Sequence, residues 1–395
     1  MSANTESTKD ITGEEWSPAV TVPALALVVI AGDEAEVGWL VTRWFAEDEI
    51  VHLDHAADVA KMDAVARRLA DGLITVVPLV RPYTDERDIP ARLAQIAHWR
   101  NVAPIALLVK DGGPWPSPLF PVGKHGFERV HHVAAGALVE REPLACDRRD
   151  QNGPFDIIGD VHGCHDEMIE LFERLGYLPD EEVGMRPPTA RRAVFVGDLV
   201  DRGPGVVETA RLVMRMVATG VAYFVPGNHD DKLLRALMGR NVWVAHGLRD
   251  SLDQIERLPD TDAQSFSTEF QAFVHAAPPY LILDGGALVV AHAGLPQDFQ
   301  GRVSPRVRAL ALYGDVVGED EYGLPIRVDW AATYQGAAAV IYGHTPQREA
   351  VWRNGTINCD TGCVFGGKLT AVRWPEREIV SVPARKEYAR RARPL

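Results

Sequence analysis

Residues 197–203 read Gly-Asp-Leu-Val-Asp-Arg-Gly, and residues 227–230 read Gly-Asn-His-Asp. Short apolar runs precede them, at 193–196 and 223–225. A run of that length closed by Gly reads as a buried strand ending in a tight turn. The same pattern recurs three more times. Residues 155–159 lead to Asp160 and His162, residues 288–291 lead to His292, and residues 340–342 lead to Gly343 and His344. Five strands thus carry Asp, Asn or His just past their carboxyl ends, which is where open α/β sheets bind ligands. Four of the five have Gly beside the ligand-type residue, and Gly permits close backbone approach. Any one of these motifs alone is an ordinary surface turn. Their order and common placement point to a shared polar site.

The 395 residues are 46% hydrophobic and 24% charged, with 34 Gly and 27 Pro. This composition excludes a disordered, collagen-like or coiled-coil chain, and the length suggests two or three domains. No apolar run approaches the length of about 18 residues that a membrane helix needs. The polar start MSANTESTKD is not followed by a basic-then-apolar signal segment. A cytoplasmic protein without a membrane partner is therefore expected. Cys146, Cys164, Cys359 and Cys363 include no Cys-x-x-Cys pair and read as reduced thiols. The net charge of −14 argues against a broad basic groove for duplex nucleic acid. It is compatible with carboxylates that hold metal ions, because a bound cation inverts the local field.

The expected organisation is a flexible leader over residues 1–20, a first domain over 21–145, a polar linker over 146–153, a second domain over 154–385 and a basic tail over 386–395. The first half alternates candidate strands at 24–31, 50–53, 73–78 and 105–109 with candidate helices at 57–70 and 86–98. Alternation of this kind predicts an α/β fold with a parallel sheet.

With Gly-Asp-Leu-Val-Asp-Arg-Gly and Gly-Asn-His-Asp in place, residues 153–375 resemble the calcineurin-like metallophosphoesterases. The resemblance implies a β-sandwich flanked by helices and a site for two divalent metal ions. In it Asp198 bridges both ions, Asp160 and His162 complete the first position, and Asn228, His292 and His344 complete the second. Mixed oxygen and imidazole donors favour Mn²⁺, Fe or Zn²⁺, with Ni also a candidate, over Mg²⁺ or Ca²⁺. Such a pair activates a water as hydroxide and clamps an in-line displacement at phosphorus. His229 is assigned to the leaving group as general acid, with Asp201 orienting it. Arg202 is assigned to a bidentate clamp on phosphate oxygens, and Asn228 to metal and substrate oxygen. Arg202, Asn228 and His229 form the substrate-binding set.

A longer block resembles the phosphatase module of the bacterial polynucleotide kinase–phosphatases. It comprises AHAGL at 291–295, GRVSPRVRALALYGD at 301–315, GLPIRVDW at 323–330, YGHTP at 342–346 and NCDTGCVFGGKLTAVRWPERE at 358–378. By that resemblance Asp360 joins the catalytic set; the alternative is a cap on the turn before Thr361-Gly362. The resemblance implies RNA termini as substrate, as 2′,3′-cyclic or 2′- and 3′-phosphate ends, and Mn²⁺ as the preferred ion. Dinucleoside tetraphosphatases and Ser/Thr protein phosphatases share the short motifs and are the alternatives. His246 reads as a surface histidine, with reach to a substrate as the alternative.

In the kinase–phosphatases a P-loop kinase precedes the phosphatase. Here the strand at 24–31 runs into Gly32, and Val37, Gly38 and Trp39 stand where that loop needs Gly, Lys and Ser or Thr. Asp33, Glu34 and Glu36 put negative charge where phosphate would sit. Loss of the Lys and the hydroxyl removes the main electrostatic stabilisers of phosphoryl transfer. Residues 21–145 are therefore expected to be kinase-like, without nucleotide cofactor or kinase activity, and Asp54 a remnant base. A non-catalytic scaffold role is the reading for this half, binding a protein partner, a nucleotide weakly, or nothing beyond the neighbouring domain.

Overall fold

Apolar alternation at Val20 and Val22, both buried, puts Glu15–Pro23 in a strand (β1). Residues 1–20 are thus not one loose leader, because that alternation gives β1 a face to bury. Ala26–Gly32 (β2), Thr75–Val80 (β3), Ala103–Val109 (β4) and Arg129–Glu142 (β5) join it in one sheet. The order is Thr8–Lys9, β1, β5, β4, β2, β3, parallel throughout except at the pair of Thr8–Lys9 with β1. The elements belong to one of two compact units in the computed structural model, Met1–Leu144 with Arg302–Val307; Ala145–Gly301 with Arg308–Leu395 is the other. The structure describes residues 8–9, 15–53, 59–80, 89–109, 126–321 and 325–391, so Asp54 lies outside the described residues.

Glu34–Trp44 (α1) packs Val37, Leu40 and Val41 on one face of the sheet, against Val28, Ile30 and Leu107. Val59–Ala70 (α2) and Ile89–Trp99 (α3) pack Met62, Val65 and Leu93 on the other, against Leu27, Val29 and Val77. Strands covered on both faces read as continuous apolar runs, which made β2, β3 and β4 legible. His, Gly and Glu interrupt β5, so its sequence hides it. Residues 50–53, which follow the short helical turn Glu47–Glu49, make a single bridge, Ile50 to Val76, instead of a strand. Between β2 and α1 stands one residue. Asp33 caps the helix, its carboxylate accepting the Glu36 N–H at 3.0 Å. Strand passes into helix with no length of chain to cradle a phosphate.

In the second unit, Phe155–Ile158 (β6), Arg192–Phe195 (β7), Ala222–Phe224 (β8), Tyr280–Leu283 (β9), Leu288–Ala291 (β10), Ala339–Tyr342 (β11), Thr356–Asn358 (β12), Lys368–Trp374 (β13) and Ile379–Pro383 (β14) form two sheets. One has the order β8-β7-β6-β13-β14, the other β9-β10-β11-β12. Ile157, Val194 and Val225 from the first meet Leu281, Val290 and Ile341 from the second in a shared core. The outer face of the first sheet lies under His165–Leu175 (α4), Val206–Ala218 (α5), Asn228–Leu237 (α6), Leu248–Glu256 (α7) and Asp260–Ala276 (α8), through Phe195 and Phe224 against Phe172, Val213, Leu233 and Phe270. The protein is α/β, with a parallel-sheet unit followed by a two-sheet sandwich flanked by helices. No helix of the described residues is long and apolar enough to cross a membrane. The segment Arg385–Ala389 is fastened to the rest of its unit. Glu167, fully buried, accepts the Arg385 N–H at 2.9 Å and the Tyr388 hydroxyl at 2.8 Å. Tyr388 and Ala389 both donate their N–H to Val364 O.

Candidate metal centre

Strands β6, β7 and β8 run parallel and end side by side, as do β10 and β11 in the facing sheet. The residues beyond those ends converge. Asp198 Oδ2 is 3.5 Å from His162 Nε2, and its Oδ1 is 3.4 Å from His292 Nε2. His292 Nε2 also lies 3.1 Å from Asn228 Oδ1 and 2.9 Å from His344 Nδ1. Asp160 accepts the His344 amide N–H through both oxygens, at 3.0 and 3.2 Å. Asp160, His162, Asp198 and His292 are buried, and Asn228 and His344 half-buried. Two glycines make this crowding possible. A Cβ at Gly227 would lie 2.1 Å from Asp198 Oδ1, and one at Gly343 would lie 1.9 Å from Asp160 Oδ1. His162, Asp198, Asp201, Arg202 and His344 all adopt left-handed backbone, with φ of 45°, 50°, 71°, 70° and 74°. Each costs about 1–2 kcal/mol for an L residue, and such strain concentrates at functional sites.

The donor set calls for a cation. His162 Nδ1–H goes to Val200 O at 2.7 Å and His292 Nδ1–H to Val196 O at 2.9 Å. Each Nε2 therefore turns a lone pair toward the centre, where it meets a carboxylate and, for His292, an amide oxygen and a second imidazole. Burial holds the His162 and His344 imidazoles well below their ordinary range and takes His292 down to about 3. His344 Nε2 is buried and unpaired among the described residues. Burial, then Asp360, pushes the Asp160 carboxyl well up; burial, then Asp230, does the same to Asp198. Two donor groups overlap at Asp198: His162, Asp198 and His229, and Asp198, His292 and His344, each with its ligand atoms within 4.8 Å of one another. A carboxylate shared between two groups is what a pair of ions needs. Asp160 falls in neither group and His229 falls in the first.

His229 opens α6 and places Nδ1 2.6 Å from Asp201 Oδ2. Asp201 Oδ1 accepts the Ser251 hydroxyl at 2.5 Å, and Ser251 Oγ accepts the Asp201 N–H at 2.9 Å. Burial pushes Asp201 up to about 6 and holds His229 well below its ordinary range. The outer nitrogen of His229 is engaged: Arg202 Nη2 donates to it at 2.9 Å, and Arg202 Nη1 donates to His162 Nε2 at 2.5 Å. Arg202 thus ties two imidazoles together instead of presenting an open fork. Asp360 lies just past β12, which runs parallel to β11. It caps the turn, accepting the Gly362 N–H at 3.0 Å, and also faces the cavity. Burial pushes it up to about 6.

Residues 153–348 match the family model described as calcineurin-like phosphoesterase. The bis(5′-nucleosyl)-tetraphosphatase PrpE (asymmetrical) of Anoxybacillus flavithermus is 46% identical over 243 residues, 61% of this chain and 99% of that protein. The protein of the same name from Bacillus subtilis is 48% identical over 235 residues, 59% of this chain and 96% of that one. The chain belongs to the calcineurin-like phosphoesterases. It is a metal-dependent hydrolase of phosphoesters. Among solved structures, a serine/threonine phosphatase from Saccharomyces cerevisiae aligns at 15% identity over 62% of this chain and 84% of that one, with a TM-score of 0.42, too low to carry an argument.

Several residues of this calcineurin-like phosphoesterase escaped sequence reasoning. Asp230 is fully buried and joins the two metal-facing turns, accepting the N–H of Asp198 at 2.7 Å, Leu199 at 3.0 Å and Gly227 at 2.8 Å. Its signal was present, as the fourth residue of Gly-Asn-His-Asp. A cavity of about 450 Å³ opens over Asp198, Asn228, His229 and His344, and Lys232, Arg235, Tyr313, Arg327, Arg390 and Arg391 form much of its wall. Lys232 follows His229 by three residues on α6, so helical spacing puts both on one face. His246 also lines the cavity. It is exposed, as expected of a surface histidine, and its loop returns to Arg202, where Gly247 packs so closely that a Cβ would lie 2.4 Å from Arg202 Cγ.

Proposed function

We propose that this phosphoesterase hydrolyses bis(5′-nucleosyl) tetraphosphates asymmetrically. The observation that carries the reading is identity of 44–48% to enzymes of that name over 94–99% of their length. The cationic wall of the cavity supports it, because Lys232, Arg235 and Arg327 suit a chain of several phosphates better than a single one. Asp160, His162, Asp198, Asn228, His292 and His344 are assigned to two divalent ions, Mn²⁺ first, with Asp198 shared. When bound, such ions lower the pKa of water and neutralise phosphate charge. Asn228 and Arg202 hold oxygens of the reacting phosphate, Arg202 leaving the imidazoles to do so. His229 is assigned to the leaving oxygen as general acid through Nε2, its Nδ1 held by Asp201 at 2.6 Å. Asp360 helps set the field at the Asp160 side. The first unit is read as a kinase-like domain that has lost its phosphate cradle to the Asp33 cap, with a scaffold role or a protein partner.

The RNA-end reading uses the same ions and differs in what extends beyond the reacting phosphate. One panel separates the two. The full chain, loaded with Mn²⁺, is offered diadenosine tetraphosphate, an RNA 3′-phosphate, a 2′,3′-cyclic phosphate end and a phosphopeptide, with products resolved by chromatography. Release of ATP and AMP in equal amounts supports the proposal. Two ADP per substrate, or an inert tetraphosphate beside rapid RNA-end turnover, refutes it.

A further inference from the structure

Trp243 is 78% exposed, the most exposed large apolar side chain of the described residues. It sits between α6 and α7 in a stretch, 240–245, without regular structure. That stretch is nonetheless pinned to the site. Ala245 O accepts Lys232 Nζ at 2.7 Å, Arg202 N–H reaches Gly247 O at 3.5 Å, and His246 turns through a left-handed backbone of φ 59° to line the cavity. The Trp243 and His246 rings meet edge to face, with centroids 5.8 Å apart and planes at 84°. The indole is therefore held beside the cavity while most of it faces water. Four residue steps lead from Gly247, packed on Arg202, to Trp243, a contour of at most about 14 Å. An exposed aromatic on a fastened loop, next to a cavity walled by Lys232, Arg235 and Arg327, combines the two halves of nucleotide recognition. Cations take the phosphates, and a π face takes the base without regard to its identity.

We propose that Trp243 is a nucleobase-stacking platform at the rim of the metal cavity, binding one base of the nucleotide substrate. The proposal rests on the nucleotide reading above, and the test keeps the two apart. ATP and inorganic tripolyphosphate are compared as competitive inhibitors of p-nitrophenyl phosphate hydrolysis by the Mn²⁺-loaded full chain. The base should make ATP the tighter inhibitor by about tenfold. Trp243→Ala should close that gap by weakening ATP alone, with the tripolyphosphate inhibition constant and kcat/KM for p-nitrophenyl phosphate unchanged. Trp243→Phe should retain most of the gap. No gap in the unaltered protein, or a gap that survives Trp243→Ala, overturns the platform. A gap that closes as stated, in a protein that leaves diadenosine tetraphosphate intact, upholds the platform and rejects only the tetraphosphatase reading. Cleavage of the tetraphosphate with a KM indifferent to Trp243→Ala does the reverse.

Discussion

Asp230→Asn tests whether the two metal-facing turns are held together by one buried carboxylate. Oδ2 accepts the N–H of Asp198 and Gly227, and Oδ1 accepts that of Leu199. The amide oxygen of Asn can keep the first two, but its nitrogen then faces the Leu199 N–H donor to donor. An orphaned buried donor costs about 1–3 kcal/mol, and hydrogen bonds to a neutral acceptor are weaker than those to a charged one. Against this, burial has pushed the Asp230 carboxyl up to about 7, so the variant is relieved of part of a costly charge. The expected net loss is about 2 kcal/mol for the metal-free phosphoesterase unit. Its pH dependence follows from linkage. The carboxyl titrates near 7 in the folded chain against an ordinary 3.8, so the native state binds the proton more tightly. Asp230's contribution to stability therefore falls as pH rises between those values, and the gap between the two proteins should narrow from about pH 5 to about pH 7.5. Urea denaturation in chelator, followed by tryptophan fluorescence, measures the gap, and mass spectrometry of the Mn²⁺-loaded protein measures retained metal. Coincident unfolding curves at both pH values, with metal content unchanged, would refute the reasoning.

His229→Ala and Asp201→Asn should each slow phenyl phosphate hydrolysis by about 10²–10⁴, the usual worth of general acid catalysis, while sparing p-nitrophenyl phosphate, whose leaving group needs no proton. Equal losses on both substrates would reject the general-acid assignment. The four free cysteines are buried, and burial raises the thiols of Cys146 and Cys359, while a hydrogen bond to Cys363 and burial raise that of Cys164. Native protein at pH 8 should therefore leave Ellman's reagent unreacted until denaturant is added; prompt release of a stoichiometric chromophore contradicts the packing. With Asp33 capping α1 where a phosphate cradle would start, no phosphate should pass from radiolabelled ATP to RNA 5′-hydroxyl ends, and labelled RNA would show otherwise.

The sequence alone determined what local pattern can encode. Buried strands such as β2, β10 and β11 are continuous apolar runs, and turns with glycine, Asp or His follow them, so fold class and the candidate ligands were legible. The RNA-end substrate came from block resemblance, and the tetraphosphatase relatives now favour the alternative. Tertiary structure alone decided how the site is wired. It fixed which ring nitrogens of His162 and His292 face the centre, through Val200 O and Val196 O, 38 and 96 residues away. It turned Arg202 onto two imidazoles, brought Ser251 to Asp201 across 50 residues, set the exposed His246 at the cavity wall and fastened Arg385 and Tyr388 to Glu167. Periodicity records whether a residue faces core or water within its own element. A hydrogen bond between segments remote in sequence leaves no period behind, so such partners emerge only when the chain has packed.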